Sequence, residues 1–397
     1  MPNRSDFISS LGLKYDPFST PVADHELMIL KDVFYSLYTA PTNDDPSKMR
    51  YIQQLRLPQH AFIFGEPGTG KTTIRMTLDA DCRTVLDQTL AISYILGEDI
   101  EKPLSFEEHG QRLSKTFATA LIFNIIERFN PLSPLPSEAQ IQTLQRQFNI
   151  ARRELSRLFD VTIEQPDEQL DPTWGLSKAW SQIGIAPVKY VGNSKQLKEF
   201  LIQLKNTQSV DVVPGWKSFH EGLTTAYQWG FSRFLILIDG VDTKQRSSQA
   251  MTDHILPLLH KQHEMEINGV YYKFFLSKVL ESEIRQYLQI AKQDLLSNVF
   301  FDIIQWDEGA LRNLLQQRFR AVTTRSGPRY TGLNSLAATG LDLDTKVIAA
   351  ARGSPRRLLQ VVDMLIDEHV KRASKSTKFD GDDWEKCEQR LATNPFF

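Results

Sequence analysis

Apolar positions change their spacing several times along the chain, and each change marks an element. His60–Phe64 is an apolar run, residues 65–70 are rich in glycine, and from Lys71 onward Ile74 and Leu78 return at helical spacing. That succession reads as strand, loop and helix. Further strands are expected over Leu90–Leu96, Arg233–Ile238, Tyr271–Leu276 and Val299–Ile304, and helices over Ser105–Phe129, Trp216–Trp229 and Glu281–Leu296. Phe234–Ile238 is unbroken apolar sequence, which fits a strand covered on both faces, as in a parallel sheet. Beyond Trp306 the spacing is helical: Leu311, Leu314, Leu315 and Phe319 mark one helix, Leu343, Val347 and Ile348 a second, and Pro355–Val370 a third.

Two stretches fall outside this rhythm. Pro2, Pro17, Pro21, Pro41, Pro46 and Pro58 break up residues 1–58, which read as an N-terminal arm with a short helix around Glu26–Tyr38. After the break at residues 130–136, Ile141, Leu144, Phe148, Ala151, Leu155 and Leu158 form one helical stripe inside an insertion at about 130–215. The stripe packs on its own domain or forms a seam for a partner. Arg146, Arg152, Arg153 and Arg157 line its polar face, as a solvated surface or a phosphate contact. No repeat at a fixed period is present.

The chain has 397 residues, too long for one small module, with 41% hydrophobic and 24% charged residues, as in ordinary globular proteins. Its net charge of −2 confines any nucleic-acid surface to a local patch. Cys82 and Cys387 provide neither a disulfide framework nor the spacing of a zinc site, so a reducing, cytoplasmic setting is expected. The first residues lack the apolar core of a signal peptide, and no apolar run approaches the roughly 20 residues of a membrane span. His254, His260 and His263 lie close together, but no Cys accompanies them and Pro257 is expected to interrupt the stretch, so they read as no metal site. Lys371, Arg372, Lys375 and Lys378 read as a solvated helix end before an acidic tail, with nucleic-acid contact the alternative.

Chemistry is concentrated in Gly65-Glu66-Pro67-Gly68-Thr69-Gly70-Lys71-Thr72, a complete G-x-x-x-x-G-K-[ST] match between an expected strand and an expected helix. Glycines let successive backbone N–H groups and a helix N-terminus face a phosphate. Lys71 is expected to neutralise the β/γ oxygens, Thr72 to ligate Mg²⁺, and Thr73 to complete the cradle. Asp239, at the end of an apolar strand, is the second expected metal acid. Both would emerge at the carboxyl ends of parallel strands, where open α/β sheets bind ligands. The expected cofactors are ATP and Mg²⁺.

At these residues the chain resembles the AAA+ and STAND branches of the P-loop ATPases, which carry an extra strand between the P-loop strand and the Walker B strand. The loop GEPGTGKT is similar to the AAA+ form. Ile238-Asp239-Gly240-Val241-Asp242-Thr243 is closer to the STAND form, because Gly240 stands where AAA+ proteins carry a water-activating Glu. The resemblance makes Asp242 the candidate to orient water and assigns Ser277 or Lys278 to reading the γ-phosphate. Gly353-Ser354-Pro355-Arg356-Arg357 resembles the start of a sensor helix in the AAA+ lid of origin-binding and secretion-type ATPases, with Arg356 preferred over Arg357 as the phosphate contact. Gly12–Phe18 resembles a segment preceding the P-loop in secretion- and transposition-type proteins, in which Tyr15 or Phe18 covers adenine or anchors the arm. No arginine finger is evident: Ser297 and Asn298 occupy its usual place, with Arg285 and Lys292 farther back.

The expected fold class is α/β: a P-loop NTPase core with a parallel sheet of the additional-strand type, followed by a small all-helical lid. The expected division is an arm at 1–58, a core at 59–305, a lid at 306–373 and a tail at 374–397. The expected function is an ATP hydrolase acting as a nucleotide-dependent switch or assembly protein. The alternatives are an oligomerising ATPase recruited to DNA and a STAND-like signalling or defence scaffold that barely hydrolyses ATP. A homo-oligomer and a protein partner are expected, with DNA a further candidate partner and no membrane contact.

Overall fold

The computed structural model describes residues 3–23, 25–26, 36–41, 51–84, 87–128, 136–153, 155–156, 194–206, 212–243, 246–261, 266–290, 299–373 and 376–393. Most of the expected insertion lies outside them, as do Arg157, Leu158, His263, Lys292, Ser297, Asn298, Lys375 and most of the expected helix around Glu26–Tyr38. The chain packs as two compact units, one formed by residues 1–51, 65–74 and 303–397 and the other by residues 52–64 and 75–302.

The sheet is built from β1 (His60–Gly65), β2 (Thr89–Ile95), β3 (Arg233–Asp239), β4 (Val270–Ser277) and β5 (Val299–Ile303), in the order β2-β3-β4-β1-β5. Strand β4 therefore lies between β1 and β3 as the additional strand. β2, β3 and β4 run parallel, with Ile95 opposite Asp239 and Ile238 opposite Phe274. Phe234–Ile238 are all fully buried, which is why their sequence has no polar alternation. Beneath them Phe62 stacks on Phe274 with ring centres 4.6 Å apart.

Helix α1 (Arg4–Ser10) and the short α2 (Tyr51–Leu55) precede β1, and α3 (Lys71–Thr84) follows it. Helix α4 (Phe106–Glu127) starts where Ser105 and Glu108 form a reciprocal capping box that satisfies two first-turn N–H groups. Ser137 and Gln140 repeat the device for α5 (Glu138–Ile150). On α5 and just past it, Ile141, Leu144, Phe148, Ala151 and Leu155 are buried, and the helix packs on α4, α6 (Ser194–Lys205) and α7 (Trp216–Gln228). The described part of the stripe thus closes on its own unit. Helix α8 (Ser248–His260) runs through Pro257, which the sequence reading expected to break it. Only one i→i−4 bond is lost, and burial of Ile255, Leu258 and Leu259 holds the turns on either side. Helix α9 (Glu281–Ile290) covers the described part of the expected Glu281–Leu296 helix.

Lys273, on β4, is wholly buried, and its Nζ donates to the Leu57 carbonyl at 3.0 Å and to the Gln59 carbonyl. Burial pushes its pKa down from 10.5 to about 7. Between those values the unfolded chain holds this proton and the folded chain does not, so the residue adds stability as pH rises through the window. Lys273→Met is expected to remove that increment, on the order of 2 kcal/mol between about pH 7 and about pH 9. Urea unfolding of both proteins at the two pH values measures it, and equal slopes would exclude a neutral buried amine.

The other unit is helical beyond β5, with α10 (Glu308–Val322), a 3₁₀ turn at Leu333–Leu336, α11 (Leu343–Ala351), α12 (Pro355–Ala373) and α13 (Gly381–Thr393). The N-terminal segment is part of its core: Phe7, Leu11 and Phe18 are buried with Leu315, Phe319, Leu358 and Leu365. Arg318, buried on α10, donates to the Pro17 carbonyl at 2.5 Å and to the Glu26 carboxylate. The expected tail at 374–397 contains α13. Its acidic residues looked like a solvated end, but Trp384 and Cys387 are buried, and Asp383 pairs with the buried His369 at 2.8 Å and with Arg372 at 2.9 Å. Lys371 bonds Glu368 and Lys378 bonds the Ser335 carbonyl, so the described basic residues there have partners within the unit. No helix among the described residues is long and apolar enough to cross a membrane.

Candidate nucleotide site

The loop begins at Gly65, the last residue of β1, and ends at Lys71, the first of α3. Glu66 and Pro67 are exposed at its tip, while Gly68 and Gly70 are half-buried. Thr69 turns inward, with its N–H and hydroxyl both donating to the Glu66 carbonyl at 3.2 and 2.8 Å. Lys71 is 5% exposed, and its Nζ donates to the carbonyls of Gly65 at 2.8 Å and Glu66 at 3.2 Å. Thr72 and Thr73 are half-buried in the first turn of α3, whose leading N–H groups have no partner within the helix.

The start of α12 lies against this loop. Gly68 has φ of +86°, and a Cβ there would stand 2.9 Å from the Arg356 Cβ, so this position requires glycine on both counts. Arg356 N–H donates to the Gly68 carbonyl at 3.3 Å, and the Trp306 indole donates to the Thr69 carbonyl at 2.9 Å. The Arg356 Nε is buried without a hydrogen-bond partner. Arg357 instead donates its Nε to the Ala350 carbonyl at 2.8 Å, and burial lowers its pKa. The two adjacent arginines therefore have different surroundings, one at the loop and one within the helical layer.

At the end of β3, Asp239 is 2% exposed. Its Oδ2 accepts from Arg75 Nε at 3.0 Å and its Oδ1 from the Gly240 N–H at 2.8 Å. Arg75 is 1% exposed and also donates to Ser93 Oγ, on β2, at 2.8 Å. Asp239, expected from the sequence to hold a metal, here has its charge balanced by a buried guanidinium, and each of its oxygens accepts a hydrogen bond. Thr72 has no such competitor among the described residues of the loop. No group of three or more His, Cys, Asp or Glu residues able to hold a metal ion occurs among the described residues. His254 is buried in α8, and exposed His260 lies against Tyr287.

Gly240 has φ of +81°, and a Cβ there would come within 3.0 Å of Ile95 Cγ2. An acid directly after Asp239 would need a strained backbone, which explains physically why this chain has none. Arg246 pins the segment: its guanidinium donates to the carbonyls of Leu96, Gly97 and Ile100 at 2.6–2.7 Å, and to those of Gly240 and Val241 at 3.2–3.3 Å. Asp242 follows, half-buried. Ser277 is buried at the end of β4, and Lys278 is exposed at the start of the 3₁₀ turn that follows.

No protein-family model matches the sequence, and no curated protein matches it. Among solved structures, the chain is similar to the Aeropyrum pernix ORC1 protein in complex with DNA, at 13% identity and a TM-score of 0.37. That similarity covers 94% of this chain and 66% of the other, just under two thirds of its length.

Phe18 is buried edge-on to Phe319 with ring centres 5.3 Å apart, and Tyr15 packs half-buried on the same core. Phe18 is thus an anchor of the N-terminal segment. Arg75, Arg246 and Trp306 escaped the sequence reading. For Arg75 a signal existed: it stands between Ile74 and Leu78, on the stripe where α3 should be apolar. Arg246 and Trp306 act through backbone carbonyls and leave no pattern.

Proposed function

We propose that this chain is a P-loop ATPase of AAA+ type that binds ATP on the Gly65–Thr73 loop and works as a nucleotide-dependent switch. The observation that carries the reading is the unpartnered, buried Arg356 Nε beside a complete phosphate loop. In this proposal Lys71 leaves its loop carbonyls for the β/γ-phosphates, and Arg356 meets the γ-phosphate from the start of α12. Loss of the γ-phosphate then frees α12, and assembly with further copies or a protein partner follows the position of that helix. Asp242 orients the attacking water and Ser277 reads the γ-phosphate at the end of β4. Hydrolysis is slow because no acid follows Asp239, which favours a switch over a rapid motor.

Hydrogen exchange across residues 355–373, with and without a non-hydrolysable ATP analogue, tests the reading. Protection of the first turns of α12 by the analogue is expected, and Arg356→Ala should abolish it while changing ATP affinity by less than about tenfold. Absence of nucleotide-dependent protection in the unaltered protein would refute the switch.

A further inference from the structure

The buried pair of Arg75 and Asp239 bears on which form of nucleotide this chain accepts, and the inference rests on the reading of Gly65–Thr73 as the phosphate loop. Arg75 stands one helical turn after Lys71 on α3, so the helix that carries the phosphate-binding lysine also carries the partner of Asp239. Hydrogen bonds hold the pair, among them Arg75 Nε to Asp239 Oδ2 at 3.0 Å, Arg75 Nη1 to Ser93 Oγ at 2.8 Å, and Gly240 N–H to Asp239 Oδ1 at 2.8 Å. The two side chains are 2% and 3% exposed, so water does not screen their charges and neither can turn out to solvent. A divalent cation approaching Asp239 would meet a pair of zero net charge whose cationic half is fixed in place.

We propose that Arg75 is the permanent counter-cation of Asp239, and that the chain therefore binds metal-free nucleoside triphosphate about as well as the magnesium complex. The charge of the metal-free triphosphate is met by Lys71, by the leading N–H groups of α3 and by Arg356. Arg75 is a positioning residue: it fixes Asp239 and through it the turn at Gly240, and it does not touch the nucleotide.

Titration of the full chain with ATP by calorimetry, in excess Mg²⁺ and in EDTA, tests this. The two dissociation constants are expected to agree within about threefold, and a loss of more than about tenfold in EDTA would overturn the proposal. Arg75→Gln should create a requirement for Mg²⁺, separating the two constants by at least about tenfold, whereas Arg75→Lys should keep them together. Equal weakening of both constants in Arg75→Gln would reduce the residue to a structural role and overturn the proposal. The comparison on the unaltered protein decides the matter even where a variant does not fold. Absence of ATP binding in both buffers would refute the nucleotide site itself, an outcome distinct from binding that depends on Mg²⁺.

Discussion

Lys71→Ala is expected to weaken ATP binding by at least about a hundredfold, equivalent to roughly 2.7 kcal/mol. Two charge-assisted hydrogen bonds to phosphate oxygens would be lost, each worth about 1.5–3 kcal/mol against neutral surroundings. Before ATP arrives, the ammonium is held by the carbonyls of Gly65 and Glu66, so part of that gain is offset when it leaves them. The substitution also removes a side chain that is 5% exposed, with its packed methylene stem and its two carbonyl contacts, so a loss of about 1–3 kcal/mol is expected in thermal unfolding without nucleotide. Calorimetric titration with ATP measures the first effect and thermal denaturation the second. Unchanged affinity in a folded variant would remove the loop from the nucleotide site.

Arg75→Ala is expected to cost about 3–5 kcal/mol of stability, because it leaves Asp239 charged, buried and without its cation. Ser93 Oγ also loses a donor, and the shortened side chain leaves a void between α3 and the sheet. The paired replacement Arg75→Met with Asp239→Leu removes both charges and should recover most of the loss, since a buried ion pair is often no more stabilising than apolar residues of like volume. Urea unfolding of the single and double variants separates the two contributions. A single variant within about 1 kcal/mol of the unaltered protein would show that the carboxylate finds another partner or protonates at little cost.

Much of the phosphate loop was legible because its chemistry is local. Gly65 to Thr72 are contiguous, and the strand before and helix after them each carry their own apolar spacing. The apolar run ending at Asp239 was equally visible, since a strand covered on both faces has no polar positions to hide it. What the Asp239 carboxylate does was not visible, because its partner lies 164 residues away in the chain. An isolated arginine on an apolar stripe carries no mark of the acid it will meet. The tail shows the same limit: its acids resemble a solvated end until His369 and Arg372, on another helix, supply their partners.

By itself the sequence determined the α/β class, the strand and helix order, the phosphate loop and the glycine that excludes an acid after Asp239. Each of these depends on neighbours within a few residues, where spacing, capping and backbone sterics act. The family resemblance already implied an extra strand between β1 and β3 and favoured Arg356 over Arg357. Only the tertiary structure decided that the N-terminal segment and α13 join the helical unit and that Asp239 is paired with Arg75. Those outcomes are contacts between distant segments, selected by burial of apolar surface and by the cost of leaving a charge unpaired once it is buried.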